Sequence, residues 1–79
     1  MFFANPADVG VLGSFIAHAE TDARAQVNLL HDIEVSLYEN FATDPRLPFW
    51  LLTIRYGILG NEALVRWCRE ARQAVEESA

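Results

Sequence analysis

From Leu12 onward, apolar positions recur at alternating steps of four and three: Leu12, Ile16, Ala19, Ala23, Gln26, Leu30, Ile33 and Leu37. That is the a/d spacing of a coiled-coil-like seam, held for more than three heptads. Gln26 is its lone polar member, and the two alanines would let a partner helix come close. A second, patchier apolar set (Val9, Phe15, Val27, Tyr38, Phe41) runs to one side. Glu20, Asp22, Arg24, Asn28 and Asp32 fill much of the remainder. The start is readable too. Asn5 can cap, Pro6 suits the first helical position, and Asp8 adds negative charge to the first turn. Phe2 and Phe3 form an apolar lead-in, and Gly10 and Gly13 weaken the opening turns. The pattern predicts one helix over about 6–41.

The only strong punctuation is NFATDPRLP, Asn40 to Pro48, with its two prolines. It predicts a turn over about 42–47. The next helix then starts either at Asp44, with Pro45 as its first helical residue, or near Pro48. This second helix runs to about 76. Leu51, Ile54, Ile58, Leu64, Val65 and Cys68 form one stripe; Trp50, Tyr56, Leu59, Ala63, Trp67, Ala71 and Ala74 supply others. A helix that is apolar nearly all round is buried nearly all round. Yet it keeps Gly57 and Gly60, each destabilising a helix interior by about 1 kcal/mol relative to alanine. Tight packing against another helix explains them; a kink or a cavity edge is the alternative. Arg66, Arg69 and Arg72 lie towards its C-terminal end, where they suit the helix dipole.

Two rods, each about 45 Å long, have a seam between them but no enclosed core. The second helix can hide one stripe against the first, leaving its other faces wet, and pairing two hairpins covers them. The expected fold is therefore all-α: two long antiparallel helices forming a dimeric helical bundle.

Composition sharpens this. The chain has 79 residues, 52% of them hydrophobic, including two Trp, two Tyr and five Phe. A domain this small buries only about 60–65% of the surface of its unfolded chain, so burial against another subunit is the usual resolution. Eleven acids oppose six arginines, there is no lysine, and the net charge is −5. Phosphate contacts dominate nucleic-acid affinity, so these residues are not expected to bind DNA directly. A single cysteine, Cys68, excludes an internal disulfide and a cysteine-rich zinc site. The start lacks a basic, then apolar, leader pattern, and the longest apolar run, Phe49 to Leu52, is far too short to span a bilayer. A cytoplasmic protein with no membrane partner is expected.

Reactive chemistry is sparse. His18 and Asp22 stand at i,i+4, with His31 further along, but a metal centre needs three or four converging ligands. Ser14, Ser36 and Cys68 lack a paired base or a nucleophile motif. Neither a catalytic site, a metal nor a cofactor is expected.

Several motifs together resemble a known family. Pro48-Phe49-Trp50-Leu51-Leu52, then Arg55-Tyr56-Gly57-Ile58, then Trp67 with Glu70-Ala71, follow a long helix in this order. They resemble the C-terminal domain of PadR-family transcriptional regulators, the virulence activator alpha type. Cys68 departs from the larger apolar residue usual there. The resemblance implies a homodimerisation domain that spaces two winged-helix DNA-binding domains, with DNA bound only through those domains, which these residues do not include. It also implies a small aromatic ligand as a second partner, for which Trp50, Tyr56 and Trp67 are the candidate pocket; the alternative is that they are core. The residues expected at the dimer interface are Leu12, Ile16, Ala19, Ala23, Leu30, Ile33 and Leu37 from the first helix. From the second they are Ile54, Gly57, Ile58, Leu64 and Trp67.

Overall fold

In the computed structural model, which describes residues 6–78, α1 spans Pro6–Asn40 and α2 spans Leu47–Ser78. The two pack along their length as an all-α hairpin, with no strand among the described residues. The lead-in expected at Phe2 and Phe3 and the cap expected at Asn5 lie outside the described residues. The hairpin is a rod of 57 × 17 × 13 Å. Its radius of gyration is 17.5 Å, against about 12 Å for a compact chain of this length.

The seam of α1 has the expected period but a different register. Ile16, Glu20, Ala23, Val27, Leu30, Glu34 and Leu37 turn towards α2, again at steps of four and three. Ile16, Ala23, Leu30 and Leu37 belong to both patterns. Ala19, Gln26 and Ile33 are replaced by Glu20, Val27 and Glu34. The helix is thus rolled so that its oilier flank stays open, and Gln26 and Ile33 are exposed. From α2, Leu47, Leu51, Ile54, Ile58, Asn61, Val65, Cys68 and Val75 answer it. Among the described residues the largest fully buried side chains are Ile16, Ile58 and Cys68. This is a seam one side chain deep.

Two features hold the rods in register. At Gly57 an added Cβ would stand 2.9 Å from Leu30 Cδ1, so the leucine occupies the space the glycine leaves. Further along, Glu20 sits inside the seam with its side chain only 8% exposed. Arg24, one turn on, donates to Glu20 Oε2 from Nε (3.1 Å) and Nη2 (2.8 Å). Across the interface, Arg69 Nε approaches Oε2 at 3.8 Å and Arg72 Nη1 approaches Oε1 at 3.2 Å. A buried carboxylate is tolerable only when paired in this way. The hydrogen bond from Arg24 holds the Glu20 carboxyl below its ordinary range; burial opposes this, and the charges of Arg72, Arg24 and Arg69 reinforce it.

The turn resolves the two alternatives for the start of α2. The Asp44 carboxylate accepts the Arg46 backbone N–H at 2.8 Å, and the Leu47 N–H bonds the Asp44 carbonyl at 3.0 Å. The chain turns at Asp44, while helix proper begins at Leu47. The Arg46 guanidinium pairs with Asp44 at 2.9 Å and lies over the Trp50 ring, 4.9 Å from its centre. Trp50 in turn meets Phe41 edge-on, with ring centroids 5.4 Å apart. This cluster joins the end of α1 to the start of α2.

Candidate interaction surface

Opposite its buried stripe, α2 carries a second apolar stripe. Phe49, Leu52, Tyr56, Leu59, Ala63 and Trp67 recur every three or four residues and are all exposed. Successive residues advance about 100° around a helix, which puts this set on the side away from α1. Tyr56 is 83% exposed, Leu52 68% and Trp67 52%. Gly60 and Leu64 carry the apolar surface round towards α1. There a groove of about 370 Å³ is lined by Phe15, Ala19, Ala23 and Leu64, with His18, Asp22, Gln26 and Asn61 at its edges. Phe15 is 65% exposed.

The opposite groove of the hairpin is charged instead. Arg24, Asn28, Glu62, Arg66 and Arg69 surround Val27 and Val65 there. One groove of the rod is therefore oily and the other ionic, while Leu29, Val35 and Tyr38 of α1 are exposed as well. Scattered exposed apolar residues are ordinary, but a contiguous patch marks an interaction site.

The size of the effect is measurable. The chain exposes 5939 Å², whereas a compact monomer of 8.9 kDa exposes about 4,800 Å². The excess, roughly 1,100 Å², is what a thin rod exposes over a compact shape of the same mass.

The residues expected at an interface divide between two roles. Ile16, Ala23 and Ile58 are buried within the chain itself, and Leu30, Leu37, Ile54 and Gly57 are half-buried on the same seam. Leu12 and Ala19 are half-buried on the open flank, and Ile33, Leu64 and Trp67 are exposed. The three residues of the expected aromatic pocket are not brought together. Trp50 belongs to the turn cluster, and Trp67 is 17 positions further along the same helix, about 25 Å away at 1.5 Å per residue. No small planar molecule touches both within one copy. Tyr56 projects outward from the stripe between them.

On the open flank of α1 the polar chemistry stays local. His18 Nδ1 donates to the Ser14 carbonyl at 2.8 Å, and Thr21 Oγ1 donates to the Ala17 carbonyl at 3.1 Å. Among the described residues no three His, Cys, Asp or Glu side chains converge as a metal site, and no helix is long and apolar enough to cross a membrane. Sequence reasoning missed the Glu20 cluster. Its signal was a glutamate at a seam position between Ile16 and Ala23, with Arg24 four residues on.

The family model described as virulence activator alpha C-term matches residues 1–76. The chain belongs to that family. Its members are regulator-associated helical domains, and the hairpin described above is the form the domain takes here. No curated protein and no solved structure matches the chain.

Proposed function

We propose that this hairpin is the dimerisation domain of a PadR-type transcriptional regulator, pairing two copies so that two winged-helix DNA-binding domains are held at a fixed spacing. The observation that carries the reading is the apolar stripe of α2. Exposed Leu52, Tyr56, Leu59 and Trp67 continue into the groove at Phe15 and Leu64. The family membership supplies the regulatory setting. The acidic composition agrees with a domain that leaves DNA contact to another part of the regulator.

Within the pairing the two sets of residues have separate tasks. Ile16, Ala23, Leu30, Ile54 and Ile58 stiffen each hairpin; Phe15, Ile33, Leu64, Tyr56 and Trp67 meet the other copy. A stiff rod transmits spacing, which is what a palindromic operator demands of a dimeric reader.

The functional test is a fusion. Joined to a winged-helix domain that is monomeric and binds a single half-site, the chain raises affinity for a two-half-site operator well above that for one half-site. Equal affinity for both operators would refute the reading.

A further inference from the structure

Four of the six arginines stand along the ionic groove of the hairpin. Arg24 of α1 and Arg66 and Arg69 of α2 line it, and Arg72 continues the row past its end. The groove has a volume of about 420 Å³, and half-buried Val27 and Val65 give it an apolar floor.

A guanidinium is all donor and no acceptor, and few of these donors are used. Arg24 turns Nε and Nη2 to Glu20, Arg72 turns Nη1, and Arg69 comes only to 3.8 Å with Nε. One buried carboxylate thus holds three guanidiniums by one edge each and leaves their other N–H groups open. Arg66 has no ion pair or side-chain hydrogen bond among the described residues, although Glu62 stands four positions before it. Charge is also unbalanced. Glu20 and Glu62 oppose the four arginines here, with Glu76 a turn past Arg72. Elsewhere only Arg46 and Arg55 stand among the remaining acids.

We propose that this groove binds a phosphate dianion, either free or as the monoester of a small molecule whose body rests on Val27 and Val65. Arg24, Arg66 and Arg69 supply the donors, and Glu20 is the positioning residue that fixes two of them. Guanidiniums converging from both helices exceed what one planar carboxylate can pair, whereas a phosphate offers three terminal oxygens and close to two negative charges. A small anion senses only charges within about 8 Å at physiological salt. A long polyanion would also cross the acidic surface beyond the groove. Trp50, Tyr56 and Trp67 do not line this site, and the inference does not depend on the pairing proposed above.

The test follows the arginine Nε–H resonances of the full chain by NMR at about pH 7.5. Inorganic phosphate and ethyl phosphate are titrated separately, with sodium chloride holding ionic strength constant. Arg66→Gln is compared with Arg55→Gln, which removes the same charge from a residue that lines neither groove. Circular dichroism checks that each variant keeps its helices. The expected result is a saturable shift of the Arg66 and Arg69 signals. Arg66→Gln should raise the apparent Kd about fivefold or more and Arg55→Gln less than about twofold, while Glu62→Gln should lower it. Tighter binding of ethyl phosphate assigns the site to a monoester; equal or weaker binding assigns it to free phosphate. Shifts that chloride alone reproduces, or that both arginine variants weaken alike, would overturn the proposal. So would a response to duplex DNA, weakened by Arg66→Gln, with none to either phosphate.

Discussion

Leu30 and Gly57 share one small volume, and that pair gives the sharpest test of packing inside the hairpin. Because the atom nearest a new Cβ is the tip of a flexible leucine, Gly57→Ala should be tolerated. Its gain of about 1 kcal/mol in helix propensity offsets the displacement of Leu30. Gly57→Leu adds a whole side chain to a filled seam and should destabilise the fold by about 1–3 kcal/mol, read from urea denaturation. Combining it with Leu30→Ala should recover part of that loss. Gly60→Leu has open space within its own chain, so helix content should hold or rise. Ile58, fully buried, has no such latitude. Ile58→Ala should cost about 2–5 kcal/mol, enough to unfold a domain this small on its own. The sequence marked both glycines as packing sites. It could not separate them, because the separation depends on which side of α2 receives α1.

At the scale of the helices, period was legible and register was not. Steps of four and three along α1 serve two neighbouring faces equally well, since Ile16, Ala23, Leu30 and Leu37 belong to both. Hydrophobic pattern alone favours the face with Ala19 and Ile33. The hairpin instead turns Glu20 inward, where Arg24, Arg69 and Arg72 surround that carboxylate from both helices. Such a cross-helix arrangement has no local sequence signature beyond the Glu20–Arg24 pair. It also sets the response to acid. The folded Glu20 carboxyl titrates below its ordinary value of 4.5, so the folded state favours the charged form. Its contribution is present above about pH 4.5 and is lost as pH falls through the lowered value. Asp44, held low first by hydrogen bonds from the Arg46 side chain and backbone, acts in the same direction at the turn. Thermal unfolding followed by circular dichroism should therefore show a midpoint that declines below about pH 4.5. Glu20→Gln should lower the midpoint at neutral pH and flatten the decline, leaving the part due to Asp44. An unchanged acid profile would show that the Glu20 cluster contributes no charge-dependent stability.

As a whole molecule, the chain is a rod with one oily groove and one ionic groove, and the surface it exposes exceeds what its mass requires. The two-helix architecture and the Pro-bounded turn were readable from periodicity and from Asn40 to Pro48. The open face was not, because a sequence shows how much apolar surface exists but not which part a neighbouring helix takes. Trp50 illustrates the point: legible in the sequence as either a pocket or a core residue, it packs the turn with Phe41 and Arg46. Tyr56 and Trp67 are left outside, and the proposed pairing would cover them. Sedimentation equilibrium of the 79-residue chain at micromolar concentration tests this most directly. A mass twice 8.9 kDa, falling towards the single-chain value on dilution together with helicity, is the predicted result. A single-chain mass at every concentration, with helicity and thermal midpoint independent of dilution, would contradict it.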